Sequence, residues 1–214
     1  MNGPVSAQEP GCLITVEGIE GVGKSTNLAF VAEELRRAGH EVLLTREPGG
    51  TPLGEKIRDL LLRPDGEIVP MAELLLMYAA RAAHVETVIR PALRAGCWVV
   101  CDRFTDASHA YQGGGRGISR DTIETLDHLV TGGLRADLTL LLDVSLEVSI
   151  SRQSGRAARD RFEREASPFF SRVRARYLEL AKQHPERIRL IDAARPLPEV
   201  KAEISRVLQE VLLR

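Results

Sequence analysis

Lysine is scarce in this 214-residue chain: of 29 basic residues only four are lysines (Lys24, Lys56, Lys182, Lys201), leaving 25 arginines. Charge of one sign is also lacking. The net charge is −1, and so small a balance argues against a protein that coats DNA or RNA. No apolar run approaches the roughly 18–20 residues that cross a bilayer, so no membrane span is expected. The opening MNGPVSAQEPG has no basic region followed by an apolar core, and residues 1–11 are read as a short flexible leader rather than a secretory signal. Three cysteines cannot all pair. Cys12 and Cys101 fall in apolar runs and Cys97 just precedes one, so all are read as reduced thiols acting as small hydrophobes, which implies the cytoplasm. The five histidines form no metal-like cluster and are read as surface or packing residues. The arginine excess is mostly compositional, and the question is which arginines sit where anion chemistry needs them.

What is present fits one globular domain. Hydrophobic residues make up 43% and charged residues 28%. Residues 12–214 are assigned to a single domain with a small arginine-rich lid at about 152–163. Short apolar runs at Cys12–Glu17, Glu41–Thr45, Trp98–Asp102, Leu138–Val144 and Arg187–Ile191 read as strands buried on both faces. Helical patterns lie between them: Lys24–Ala38, Gly54–Leu62, Met71–Ala95 with a kink or restart at Pro91, Ser119–Thr131, Leu146–Ser154, Pro168–Gln183 and Pro198–Leu213. Gly39 and Gly96 stand where helices should stop. Such alternation predicts a three-layer α/β fold, with ligands beyond the carboxyl ends of the strands.

That edge carries the strongest motif. Gly18-Ile19-Glu20-Gly21-Val22-Gly23-Lys24-Ser25-Thr26 follows the first strand and opens the first helix, as a phosphate loop must. Its backbone N–H groups and the helix N-terminus attract phosphate. Lys24 is expected at the β- and γ-phosphates, and the Ser25 hydroxyl at Mg²⁺. The loop points to a nucleoside triphosphate and leaves the second substrate open.

Other signals are weaker alone. Asp102-Arg103-Phe104 ends a strand, where Asp102 can hold Mg²⁺ through water and Arg103 can face a phosphate; a structural ion pair explains the residues equally well. Glu47-Pro48-Gly49-Gly50 is a turn, and Arg58 by itself reads as a solvated helical arginine. Met77 and Arg81 share a helix face, suiting a flat heterocycle or simply a core methionine beside a surface arginine. Ser108, Tyr111 and Gln112 precede Gly113-Gly114-Gly115, a tight loop near a ligand or a flexible connection. Arg152, Arg156 and Arg159 form one basic helical face, either solvated or part of a lid that neutralises a transferring phosphoryl group.

Together these segments resemble the bacterial thymidylate kinase family over nearly the whole length from Cys12 onward. The matches are Glu17-Gly18 through Thr26, Thr45-Arg-Glu-Pro-Gly-Gly50, Tyr78-Ala-Ala-Arg81, Asp102-Arg103, Ala110-Tyr-Gln-Gly-Gly-Gly-Arg-Gly117, Asp137-Leu-Thr-Leu with Leu142-Asp143-Val144, and Asp160-Arg161, and the second and fifth of these together are the specific combination. The resemblance implies a P-loop NTPase-type fold with five parallel strands, a homodimer, and transfer of the γ-phosphoryl of ATP to dTMP with Mg²⁺. It implies that Arg58 and Arg103 hold the dTMP phosphate, with Glu47 in the same pocket. Arg81, Ser108 and Gln112 would meet the thymine edge, and Tyr111 would lie under the sugar and disfavour a 2′-hydroxyl. Asp160 and Glu163 would close near the acceptor sugar and metal. Arg152, Arg156 and Arg159 would form the lid, and Arg195 would border the adenine beside the Asp192-Ala193 turn.

Two positions depart from the family or divide it. Met77 stands where the family usually stacks a phenylalanine on thymine; a thioether is polarizable and can cover the same ring. Glu20 stands where one branch of the family carries a loop arginine. A carboxylate cannot neutralise phosphate, so the segment from Arg152 to Arg161 is expected to supply the cation, with Glu20 bonding lid or acceptor-sugar groups. The acceptor is already a phosphate oxygen, so no general base is required. Two rivals remain: a kinase for another nucleoside monophosphate or deoxynucleoside on the same scaffold, and a nucleotide-dependent switch, which the lack of an Asn-Lys-x-Asp motif weakens.

Overall fold

A computed structural model describes residues 11–63, 67–153, 160–163 and 165–212. Five strands form one parallel sheet: β1 (Leu13–Glu17), β2 (Val42–Arg46), β3 (Trp98–Asp102), β4 (Leu138–Asp143) and β5 (Ile188–Asp192), in the order β2-β3-β1-β4-β5. Each lies within one residue of its expected bounds. β1 is central and wholly buried, pairing Val16 with Asp102 of β3 and with Leu140 of β4. Its run of apolar residues therefore suits a strand covered on both faces.

Helices α1 (Lys24–Arg37) and α9 (Leu197–Leu212) pack together on one face. Right-handed crossovers running the other way bring α4 (Arg90–Arg94), α5 (Thr105–Ser108) and α8 (Ser167–Gln183) to the opposite face. The main core joins Val31, Leu35 and Ile204 from the first layer with Val173, Tyr177 and Leu180 from the second. Helices α2 (Pro52–Leu62), α3 (Pro70–His84) and α6 (Arg120–Thr131) stack at one side, and α7 (Leu146–Gln153) follows β4. Among the described residues, no helix is long and apolar enough to cross a membrane. Gly11, assigned to the leader, donates its N–H to Leu93 O at 2.9 Å; residues 1–10 lie outside the described residues.

Two expectations are refined or corrected. The long helix restarts next to Pro91, as expected, but the break itself lies upstream of it. α3 ends at His84, a π-helical turn spans Val85–Ile89, and α4 resumes at Arg90. The proline ring has no N–H and crowds the carbonyl of the residue four before it, so the backbone widens one turn upstream. The triple glycine is likewise no loop. α5 continues into a second π-helical turn, His109–Gly115, packed against α8. A Cβ at Gly115 would stand 2.4 Å from Phe169 Cε2, and Arg172 Nη2 donates to Gly115 O at 2.8 Å. The glycines are there for close approach, which sequence pattern alone does not distinguish from flexibility. G115A should therefore destabilise the fold by about 1–3 kcal/mol through overpacking. Denaturant unfolding checks this, and an unchanged midpoint would contradict it.

Candidate active site

The phosphate loop leaves the carboxyl end of β1 and turns into α1 at Gly23, whose φ is 90°. Lys24 Nζ folds back to donate to Gly18 O at 3.1 Å and Ile19 O at 3.0 Å. Burial, with the nearby Arg103 charge, lowers the Lys24 ammonium to about 8, against the opposing pull of Asp102, Glu20 and Glu17. Ser25 and Thr26 are exposed at the helix start. Ser25 and Asp102 line a common surface depression, and Asp102 Oδ1 is buried with no hydrogen-bond partner. An orphaned carboxylate oxygen beside a hydroxyl is a donor set suited to a hard divalent cation.

Arg103 is, among the described residues, the one non-glycine at positive φ, 69°. Its N–H donates to Val16 O at 3.1 Å, its guanidinium lies 4.5 Å over the Tyr111 ring, and Nη2 donates to Glu20 Oε1 at 2.8 Å. The Tyr111 hydroxyl is 2.8 Å from both Glu20 oxygens. Burial alone would raise the Glu20 carboxyl, but Arg103, Lys24 and the Tyr111 hydroxyl hold it below its ordinary range. Glu20 thus bonds Arg103 and Tyr111, two residues expected at the acceptor.

The expected acceptor residues converge. Glu20, Glu47, Arg58, Met77, Arg81, Arg103, Ser108, Tyr111, Gln112 and Asp160 all line one pocket, joined by Phe104 and Phe162. Glu163 does not line it; its N–H donates to Asp160 Oδ1 at 2.9 Å. Arg58 Nη1 donates to Pro48 O at 3.0 Å, so it is not merely solvated. Arg81 is buried rather than a surface residue: Nε donates to Glu47 Oε2 (2.7 Å), Nη1 to Ser108 Oγ (3.0 Å) and Nη2 to Phe104 O (3.0 Å). Met77 is partly buried in the wall.

The donor-side arginines are placed differently. Arg152 Nη2 donates to Ala193 O at 3.0 Å, beside the turn after β5. Arg195 pairs with Glu199 at 2.6 Å. Arg156 and Arg159 lie outside the described residues. Arg161, counted with the cationic segment, is committed elsewhere: Nε donates to Leu61 O at 2.8 Å and Nη2 to Glu73 Oε2 at 2.7 Å.

Sequence reasoning missed four buried partners. Glu73 is fully buried and also accepts from Gln112 Nε2 at 2.8 Å, so it holds a pocket residue and Arg161 together. Glu17 accepts from the Phe104 N–H and the Tyr177 hydroxyl, each at 2.7 Å. His84, read as a packing residue, is bonded at both ring nitrogens. A lone polar residue at an otherwise apolar strand end or helix face was the available signal.

Burial foremost, then the Asp106 charge, pushes Glu17 up to about 8, against the pull of Tyr177, Arg103 and the Phe104 amide. The folded chain then holds this proton where the unfolded chain has released it, so stability falls as pH rises from the ordinary 4.5 towards 8. E17Q removes this dependence. Its stability relative to wild type should grow by up to about 1.4 kcal/mol per pH unit across that window. Denaturant unfolding between these pH values checks this; parallel curves would contradict it.

Comparison with known proteins agrees with this geometry. The thymidylate kinase family profile matches residues 16–204. A thymidylate kinase of Pseudomonas savastanoi is 54% identical over 203 residues, covering 94% of this chain and 97% of the relative. One from Methylococcus capsulatus is 55% identical over 203 residues, covering 95% and 97%. The crystal structure of thymidylate kinase from Ehrlichia chaffeensis superposes with a TM-score of 0.76 at 36% identity, covering 94% of this chain and 99% of that one. The chain belongs to the thymidylate kinase family, whose reaction is the ATP-dependent phosphorylation of dTMP to dTDP.

Proposed function

We propose that this dTMP kinase works by holding two phosphates against each other across Glu20 and Arg103. The observation that carries the reading is the acceptor pocket. One cavity collects arginines suited to a phosphate (Arg58, Arg103), polar groups suited to a pyrimidine edge (Arg81, Ser108, Gln112), and Glu20 from the phosphate loop. An acceptor bound there lies next to the donor loop, and the reaction becomes one of positioning.

In this reading the backbone of Gly18–Thr26 cradles the ATP phosphates and Lys24 leaves its loop carbonyls to meet the β- and γ-phosphates. Arg195 and the turn at Ala193 flank the adenine. Arg58 and Arg103 grip the dTMP phosphate, whose anionic oxygen attacks without a general base. Three of the five N–H groups of Arg81 are committed, leaving two for a thymine carbonyl. Met77 covers the ring, and Tyr111 supports the sugar while Asp160 and Glu163 close beside it. Ser25 and Asp102 would hold Mg²⁺, supported by the orphaned Asp102 oxygen. When bound, the cation neutralises charge on the β- and γ-phosphates. The lid at 152–163 supplies Arg152, Arg156 and Arg159 to the transferring group, because the loop's own acid cannot. Residues 12–214 act as one domain behind the leader at 1–11, and the free thiols suit the cytoplasm.

A panel of nucleoside monophosphates with labelled ATP tests the reading. ATP consumption should depend on dTMP, and K24A should lose at least about a hundredfold in kcat while staying folded. ATP use that ignores dTMP, or an active K24A, would contradict it.

Exposed Leu53 and Leu60 on α2, Met71 and Leu75 on α3 and Leu129 on α6 lie on neighbouring helices. Such a surface supports a homodimer packed through these helices. Sedimentation should show a dimer for wild type and a monomer for L75E; a monomeric wild type would contradict this.

A further inference from the structure

His84 ends α3, three residues beyond Arg81, so the two side chains share a helix face. It is fully buried and does not line the acceptor pocket. Its Nδ1 lies 3.0 Å from Glu47 Oε1 and its Nε2 lies 2.6 Å from Thr45 Oγ1. The other oxygen of the same carboxylate, Glu47 Oε2, accepts from Arg81 Nε at 2.7 Å. One carboxylate is therefore gripped at both oxygens by groups from successive turns of a single helix. A carboxylate only accepts, so Nδ1 donates to it.

The turn that carries Glu47 is packed directly onto the imidazole. Gly50 has a φ of 74°, and a Cβ there would stand 2.5 Å from His84 Nε2 and 2.8 Å from Thr45 Oγ1. The ring thus fills the space that a side chain at Gly50 would need. The guanidinium of Arg81 is held by hydrogen bonds to Glu47, Ser108 and the Phe104 carbonyl, with Asp127 Oδ1 3.9 Å from Nη1; of the two acids only Glu47 is hydrogen-bonded to it. Glu47 is the one charged hydrogen-bond partner of Arg81, so a shift of Glu47 shifts where the free N–H groups of Arg81 point.

We propose that His84 is a positioning residue for base recognition: by holding Glu47 it sets the Arg81 guanidinium and hence the preference for a pyrimidine with a carbonyl, not an amino group, at its edge. The inference rests on the reading of this pocket as the dTMP site. His84 touches neither substrate, so its loss acts on acceptor affinity and choice and spares phosphoryl transfer.

The test compares wild type, H84N and H84Q as full-length enzymes, measuring KM for dTMP and ATP, kcat, and competitive inhibition by dCMP. Asparagine places an amide nitrogen near the Nδ1 position and keeps the contact to Glu47; glutamine reaches towards the Nε2 position and leaves Glu47 Oε1 without its donor. H84Q should raise the dTMP KM about tenfold or more, the loss expected for a buried hydrogen bond to a charged group, with ATP KM and kcat held within about threefold. The preference for dTMP over dCMP should narrow, and H84N should stay within about threefold of wild type. An unchanged dTMP KM in H84Q, a joint rise of both KM values, or an equal loss in H84N would overturn the proposal. If H84Q does not fold, T45V probes the same chain from its other end. A selective rise in dTMP KM supports the proposal, and an unchanged one overturns it. A wild type that does not use dTMP is a separate failure, of the pocket's reading, visible before any variant is made.

Discussion

The ion pair between Glu20 and Arg103 joins two parts of the chain that the proposed mechanism brings side by side. Glu20 belongs to the loop after the central strand β1; Arg103 stands at the end of the neighbouring β3, and their side chains meet at 2.8 Å. Parallel strands place both carboxyl ends on one edge of the sheet, and this contact turns that edge into a site. Its cost is local. Arg103 occupies a backbone region that carries a strain of about 1–3 kcal/mol for a residue with a side chain. That strain persists because the surroundings over-determine the turn. Val16 O accepts the Arg103 N–H, Glu17 accepts the Phe104 N–H, and Cys101 Sγ donates to Arg103 O at 3.0 Å.

A second layer of buried polar residues surrounds this contact and keeps the pocket in shape. Glu17 ties the turn at Phe104 to Tyr177 on α8, while Glu73 ties Gln112 to Arg161. Glu73 is paired with Arg161 and Arg116, and Glu17 keeps its proton up to about pH 8, so neither is left as an isolated charge, which in a low dielectric would be expensive. The same residues link α3, β1 and α8 around the acceptor cavity. Arg161 illustrates the principle: a cation of the segment read as a lid is engaged by a fully buried Glu73, so in the proposed mechanism the positive charge for transfer is assigned to other arginines and Lys24.

How much of this was legible in the sequence depended on whether a function needs a local pattern. The phosphate loop and the five strands could be read ahead, because each is a contiguous motif or run; the convergence of Arg58, Arg81 and Arg103 followed only from the family resemblance, since Arg58 and Arg81 lie within helices and alone read as surface arginines. Glu17, Glu73, His84 and Tyr177 could not. Their roles come from partners between 37 and 160 residues away, and a single polar residue in an apolar run does not name its partner. The π-helical turns were invisible for a related reason. Gly113–Gly115 has the composition of a flexible loop, and only the contact of Phe169 and Arg172 with it reveals a packed turn. Pro91 marked a real break, but the relaxation lies upstream, at Val85–Ile89.

The central claim is that the loop carboxylate and the strand-end arginine act as one unit in acceptor binding. A double-mutant cycle on equilibrium dTMP affinity, using E20Q, R103Q and the double variant, tests this most directly. Removing one partner leaves the other partly buried and without its counter-ion, so the single losses should overlap. The account predicts a coupling energy of about 1–3 kcal/mol, as for residues in one buried network. Effects that add within about 0.5 kcal/mol would show that the two residues act independently and would contradict it.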